Sequence, residues 1–409
     1  MTARTAVLAA AVLAVAATAC ARPAVQVDAT DVTCRTAFGN AAPPPAPSVS
    51  AARPAADTTA VPAAPAFPAE MRWTLPADTG QRRELDAYCS AVGPALLYEP
   101  PGAGTAATMG TGAGEGAGED HARAPAVAEP AAEGLVVVAW NMALGGGDLE
   151  RLVASLRDGR YTGGPPAHFV LLLQEVPRIG PPVPPADALP DGARTSSTLD
   201  MPGPDIRRLA EATGLHLLYV PSTRKPTTDG RDVDQGAALL STLPLAEPRA
   251  IEMAHGIRRR VAVAARVTPP GFGTSVHVVS AHLDNFAFSH FAGSFGSIRA
   301  RQARSLLPAL RQMAAAGEPV LLGADLNTWL RGPQEAAARV VREVLPLPTP
   351  LTSFSTADRL GVPRRLDYVL AAAPAGWEFV EYRIDDRYGS DHNPVLGLLR
   401  PAGTQQFSR

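Results

Sequence analysis

The chain has 409 residues, of which 46% are hydrophobic and 19% charged, and its formal net charge is -2. This is more than one compact domain needs, so part of the chain has to be linker. The near-neutral balance excludes the overall basic excess of a dedicated nucleic-acid binder and leaves only a local basic patch to serve such a partner.

Residues 1–19 read as a signal peptide. Arg4 and the free amine give a positive start, and residues 5–17 are almost all Ala, Val and Leu. That stretch has the length of a signal core and is too short to span a bilayer well. Ala17-Thr18-Ala19-Cys20 fits cleavage before Cys20. It also resembles the lipobox of bacterial lipoproteins, with Ala17 where Leu is usual. The expectation is an exported protein, either a cell-envelope lipoprotein anchored through a lipidated Cys20 or a secreted or periplasmic one. A buried apolar helix is the competing reading, and the N-terminal position speaks against it.

Residues 20–69 form an Ala/Pro-rich low-complexity region that cannot bury enough apolar surface to fold alone. Residues 70–100 form a small N-terminal region in which Gln81 to Ala91 has helical spacing and Gly93-Pro94 stops it. Cys34 and Cys89 remain as an even pair in an exported chain, so a disulfide between them is expected. Residues 101–133 are a Gly/Ala-rich flexible linker.

From 134 to 400 the chain alternates strand-like and helix-like segments, and 401–409 is a tail. Strands are predicted at 135–140, 169–174, 215–220, 236–241, 261–267, 275–282, 319–324, 366–371 and 394–399. Helices are predicted at 147–157, 204–213, 297–316 and 333–344. In 297–316, Ile298, Leu306, Leu307, Leu310 and Met313 share one face. Pro177 to Pro204 reads as a long insertion after a key strand. Many short strands with few strict βαβ crossovers predict an α/β fold of mixed sheets packed face to face, with helices outside.

Five strand ends carry polar residues where a rigid scaffold would project them. They are Trp140-Asn141, Gln174-Glu175, His282-Leu283, Asp325-Leu326-Asn327, and Asp367 with the later triplet Ser390-Asp391-His392. Asp325 and Asn327 would share a side on an extended backbone. His277, on the opposite face from His282, reads as packing or surface. Each signal alone is weak. Together they supply carboxylates for a hard cation, two amides, a carboxylate–histidine pair and a second histidine. This is the equipment for metal-assisted attack of water on a phosphoester.

The order of these motifs resembles the endonuclease/exonuclease/phosphatase superfamily over residues 134 to 400. The resemblance implies a four-layer α/β-β/α sandwich with the site at one end of two stacked sheets. It implies that Glu175 is the principal ligand of Mg²⁺ (or Mn²⁺), that Asn141 supports the metal and a phosphate oxygen, and that Asp391 reaches the metal through water. His392 becomes the general base, oriented by Asp367. Asp325 and Asn327 position the nucleophile and the phosphoryl oxygens. His282 binds the phosphate or protonates the leaving group, and its presence argues against the apurinic branch. Asp234 or Gln235 would orient His282.

The runs Arg258-Arg259-Arg260, Arg299 to Arg304 and Arg364-Arg365 are either solvated surface or contacts to further phosphates. Arg364 and Arg365 are favoured for the phosphate role. The implied substrates are phosphoesters: nucleic acid, phospholipid headgroup or small phosphodiester, with no obligate protein partner. A catalytically inactive surface binding protein on the same scaffold is the alternative, and the intact residue set speaks against it. Peptide mass mapping of the mature protein without reductant should give one Cys34–Cys89 cross-linked peptide; free thiols at both positions would sink the pairing.

Overall fold

The computed structural model describes residues 25–27, 71–75, 88–89, 91–101, 134–189, 202–285, 292–359 and 361–403. The expected signal peptide, Cys20, Cys34, the body of the 101–133 linker, and the middle of the 177–204 insertion lie outside the described residues. Cys89 is inside them and is buried.

Two seven-stranded sheets carry the fold. The first runs β1 (Val25–Val27), β2 (Arg72–Leu75), β8 (Ala246–Glu252), β9 (Val261–Val267), β10 (Val276–His282), β11 (Val320–Asp325) and β14 (Asp367–Ala372). The second runs β15 (Trp377–Arg383), β16 (Val395–Pro401), β4 (Leu135–Asn141), β5 (His168–Ile179), β7 (Val233–Ser241), β6 (His216–Arg224) and β3 (Leu96–Tyr98). A small ribbon pairs β12 (Ala357–Arg359) with β13 (Val362–Arg364). The pairs β4–β5, β10–β11 and β2–β8 are parallel, and the other neighbours are antiparallel, so both sheets are mixed. Helices α1 (Leu149–Arg157), α2 (Ile206–Thr213), α3 (Ala292–Ala315) and α4 (Ala336–Arg342) complete the order.

Side-chain alternation makes the layers. In β4, Leu135, Val137 and Ala139 belong to the core between the sheets, with Val278, Leu321 and Val369 from the first sheet. Val136, Val138 and Trp140 pack outward with Leu152 of α1 and Leu209 of α2. On the far side, Val279, Leu322 and Leu370 pack with Leu306 and Leu310 of α3 and Val341 of α4. The result is the expected four-layer α/β-β/α sandwich. Each of these buried side chains contributes about 1.5–3 kcal/mol relative to exposure.

At one end of the inner face the alternation continues but the residues turn polar. Asn141, Gln174, Ser280, His282, Asp325 and Asp367 occupy the inward positions there, all buried. Glu175 departs from the period. It sits in a register shift between Leu173 and Val176 of β5, in the left-handed region at φ 55°. A bulge re-aims the residue it carries. Val176 then resumes the outward face.

The structure corrects the start of the 177–204 insertion. β5 continues through Pro177 to Ile179, paired with β7 alone, because β4 ends opposite Gln174. Past that point β5 has one open side, where a residue without an N–H is tolerated. Residues 70–100 supply a strand to each sheet, β2 between β1 and β8 in the first and β3 at the edge beside β6 in the second. The strands β8 and β15 were not expected from the sequence; both interleave charged and apolar residues, and β15 lies at a sheet edge.

Gly323 lets the sheets approach. A Cβ there would lie 2.7 Å from Leu172 Cβ and 2.8 Å from Ala139 Cβ. Gly323→Ala should therefore destabilise by about 1–3 kcal/mol through overpacking, read as a lower urea midpoint with unchanged slope. A midpoint equal to wild type would contradict this packing.

Candidate active site

The His392 loop is pinned against the end of β4. Ser390 Oγ donates to the Asn141 carbonyl (2.7 Å), the His392 amide donates to Ser390 Oγ (3.0 Å), and Trp140 Nε1 donates to the His392 carbonyl (3.1 Å). His392 Nδ1 then lies 2.7 Å from Asp367 Oδ2. Asp367 is itself held at the start of β14, where the amides of Leu366 and Asp367 donate to Thr356 Oγ1 at 3.0 and 3.1 Å. With Nδ1 engaged, Nε2 is the free nitrogen, 4.0 Å from Asp391 Oδ1.

Asp325 lies between the sheets. Asn141 Nδ2 donates to its Oδ2 (3.0 Å) and the Asn327 amide donates to its Oδ1 (2.9 Å). Ligand atoms of Asp325, Asp367 and His392 fall within 4.8 Å of one another. Burial, and then the Asp367 charge, push the Asp325 carboxyl up to about 7. Burial opposes protonation of His392, but the Asp367 charge and hydrogen bond outweigh it and raise the imidazole to about 10.

The second histidine lives in the opposite field. Burial first, and then the Arg260 guanidinium, hold His282 well below the ordinary imidazole value. Arg260 Nη1 is 3.1 Å from His282 Nδ1. Arginine only donates, so Nδ1 accepts and the ring proton sits on Nε2. Nε2 faces Asp325 Oδ2 at 3.4 Å and is buried without a hydrogen-bond partner. Arg260 is oriented by Asp284, whose Oδ1 lies 3.2 Å from Nε. Glu175 Oε1 lies 3.9 Å from His282 Nδ1, and its side chain is 17% exposed at a pocket it shares with Gln235, Arg260 and His282.

The model of the Endonuclease/Exonuclease/phosphatase family matches residues 138–392, more than half of the chain. The chain belongs to this family. A search of curated proteins returns no match. Among solved structures, an endonuclease/exonuclease/phosphatase from Beutenbergia cavernae is 20% identical, with 66% of this chain and 72% of that one covered and a TM-score of 0.46. The human Nocturnin catalytic domain with bound sulfate is 16% identical, with 66% and 95% covered and a TM-score of 0.43. Sphingomyelinase C from Streptomyces griseocarneus is 20% identical, with 65% and 99% covered and a TM-score of 0.38.

Enzymes of the endonuclease/exonuclease/phosphatase family are phosphoester hydrolases that use divalent metal ions. The donor set here fits such an ion. Asp325 and Asp367 place carboxylates side by side, and Asp367 Oδ1 is buried with no hydrogen-bond donor. Carboxylate oxygen is the ligand a hard cation prefers. Glu175 also carries no hydrogen bond to its carboxylate among the described residues.

Several residues stand differently from the sequence expectation. Asn327 is not on an extended backbone; β11 ends at Asp325 and Asn327 takes φ 51°. Its side chain bridges locally, donating to the Leu283 carbonyl and accepting from Trp329 Nε1, both at 2.9 Å. Asp391 is on the rim, with a side chain 71% exposed. Arg365 is not available to a phosphate: it pairs with Glu381 at 2.6 Å and stacks on Phe354 and Tyr368. Arg364 donates to the Trp329 carbonyl. Arg259 is buried against Glu252 rather than solvated, and Arg299 against Glu335. Asp234 does not orient His282, because it binds Arg178, Tyr219 and the Gly93 amide. The orienting group is Arg260. Arg260, Asp284, Ser280 and Thr356 were missed as site residues; only Arg260 left a signal, as part of a basic run.

The protonated His392–Asp367 pair has a stability signature. The folded imidazole value of about 10 lies above the ordinary 6.5, so its contribution is full below pH 6.5 and is lost as pH rises through about 10. With divalent cations removed by EDTA, urea midpoints should fall across this window, and Asp367→Asn should flatten the fall. A wild-type profile as flat as that of the variant would contradict the raised value.

Proposed function

We propose that this chain hydrolyses phosphoesters with Mg²⁺ or Mn²⁺ as cofactor, as a phosphodiesterase or nuclease-like enzyme outside the cytoplasm. The 2.7 Å contact between His392 Nδ1 and Asp367 Oδ2 carries this reading. It is the arrangement of a general base: one ring nitrogen fixed by a buried carboxylate, the other open toward water.

The roles follow from what each group can donate or accept. His392 Nε2 takes a proton from the attacking water, and the Asp367 carboxylate stabilises the imidazolium that results. Asp325 accepts a hydrogen bond from Asn141 and faces His282, so it orients groups between the two histidines. Asn327 holds the end of β11 against Leu283 and so fixes Asp325. His282 presents Nε2–H and stays neutral near pH 7, which favours hydrogen bonding to a phosphate oxygen over full proton transfer to the leaving group. The clustered carboxylates of Asp325 and Asp367 would hold the cation on the geometry described, and Glu175, Asn141 and Asp391 are the set that the family resemblance adds. When bound, the cation polarises the phosphoryl oxygen and offsets the carboxylate charge that keeps His392 protonated.

Export, a lipidated Cys20 and the Cys34–Cys89 disulfide belong to the same proposal. They rest on the N-terminal sequence, on the even cysteine pair and on the pairing of Leu96–Tyr98 with β6 a few residues after Cys89. The retained residue set gives no support to an inactive binding protein.

The purified mature protein should cleave at least one of plasmid DNA, RNA, sphingomyelin, inositol phosphates or bis-p-nitrophenyl phosphate, with activity abolished by EDTA and restored by Mg²⁺ or Mn²⁺. His392→Ala should lower kcat/KM by about 10²–10⁴. No cleavage of any of them, or a variant equal to wild type, would overturn the proposal.

A further inference from the structure

Lys225 is the only lysine in a chain whose Lys and Arg total is 37. It follows β6 directly, and its amide donates to the Val233 carbonyl of β7 (2.8 Å). The residue is buried, with 5% of its surface exposed. Every buried arginine among the described residues has a carboxylate within 4.0 Å, as Arg260 has Asp284 and Arg224 has Asp232. Lys225 has none, and its ammonium makes no hydrogen bond among the described residues. Half-buried Arg258 also makes no ion pair among the described residues. The Lys225 nitrogen itself is not sealed off, so the stem is buried while the charged head reaches the solvent-accessible edge of the site.

Thr223, two residues before Lys225, and Arg260, two residues after Arg258, line one pocket with Glu175 and His282, which places both cations next to it. Burial lowers the Lys225 ammonium to about 8; Arg258 and Arg260 push in the same direction and Glu175 pulls the other way. His282 is acted on by Arg260, His392, Arg258 and Lys225, whereas His392 is acted on by Asp367, Asp325 and Asp391. His282 therefore lies between an acidic end, at His392, and a cationic end, at Lys225 and Arg258. With one reacting phosphate between the two histidines and Glu175 assigned to the metal ion, the cationic end is left with no anion of its own.

We propose that Lys225 and Arg258 form a subsite for a second phosphate group of the substrate, adjoining the Glu175–His282 pocket. The inference rests on the phosphoester reading above and narrows it. A second phosphate supplies the missing anion, whereas a quaternary-ammonium headgroup would meet two unpaired cations and be repelled. The shared chemistry is a doubly phosphorylated ligand, either a small bisphosphate or the next phosphate of a nucleic-acid strand.

A test independent of catalysis uses the single ε-amine. The full mature chain is reductively methylated in EDTA, and peptide mass mapping separates Lys225 from the terminal amine. Inorganic pyrophosphate and a short oligonucleotide are tried as protectants beside inorganic phosphate and phosphocholine. At least one two-phosphate ligand should slow Lys225 methylation tenfold or more, with little effect from the other two; whichever protects identifies the source. Equal rates with all four would overturn the subsite.

The kinetic arm compares the 5′-p-nitrophenyl phosphate ester of thymidine with and without a 3′-phosphate. The pair Lys225→Met and Arg258→Gln should each lose at least tenfold more kcat/KM on the two-phosphate ester than on the one-phosphate ester. Equal losses would overturn the proposal. If the wild type cleaves neither ester while pyrophosphate still protects Lys225, the subsite stands and the hydrolytic reading fails.

Discussion

The hydrogen bond from Asn141 to Asp325 joins the end of β4 in one sheet to the end of β11 in the other. It closes the polar end of an interior that is otherwise apolar. A parallel link lies beside it, where Gln174 Nε2 donates to Ser280 Oγ (3.0 Å) and Ser280 Oγ donates to the Leu173 carbonyl (2.9 Å). Both links require the sheets to face each other in one register and at one separation. A slip of one residue in any of β4, β5, β10 or β11 would turn these polar groups outward and bring Trp140, Leu173, Ala281 or Ala324 to the gap. The site and the core are thus one constraint. The same alternation that buries Val137 and Leu321 delivers Asn141 and Asp325.

Two residues break that alternation, and both do so at the site. Glu175 and Asn327 hold left-handed backbones although neither is glycine. Such conformations cost of order 1–3 kcal/mol each and persist where the surroundings over-determine them. Around Asn327 the determination is visible: its amide, its Nδ2 and its Oδ1 are all engaged. Around Glu175 it comes from β7, which pairs on both sides of the bulge. The close approach at Gly323 serves the same end, two residues before Asp325.

What was legible in the sequence was whatever the period-2 pattern or the strand-end position encodes. The Val-rich run of β4, the Leu-rich run of β5 and the sequence Pro319-Val-Leu-Leu-Gly-Ala-Asp325 announce buried strands and the polar residue that ends each. The catalytic-type pair Asp367 and His392 was readable for the same reason. The positive φ of Asn327 was not, because asparagine tolerates the left-handed region but no spacing requires it there. The arginine runs misled because their partners are remote in sequence: Arg365 meets Glu381, and Arg299 meets Glu335. A run of like charge looks solvated until the fold supplies each member with its own carboxylate. β8 and β15 were missed because charged residues interrupt their apolar ones, and two of those charges are buried only through remote partners, Glu252 with Arg259 and Glu381 with Arg365.

The two histidines show how one gap can hold opposite protonation states. Both are buried, and burial alone disfavours the charged ring at each. The difference lies in the neighbours. Asp367, Asp325 and Asp391 overcome burial at His392 and keep its proton, while Arg260 reinforces burial at His282 and excludes one. Asp325 spans the distance, 3.4 Å from His282 Nε2 and within the same cluster as His392. A gradient of this kind is directional. A water molecule at the acidic end finds an acceptor once that end is relieved of charge, and a phosphate oxygen at the other finds an N–H that cannot be lost to Nδ1, because Arg260 occupies it. The reaction proposed needs both conditions within a few ångströms, and Arg260 on β9's leading edge with Asp367 on β14 supplies them from opposite flanks of the same sheet.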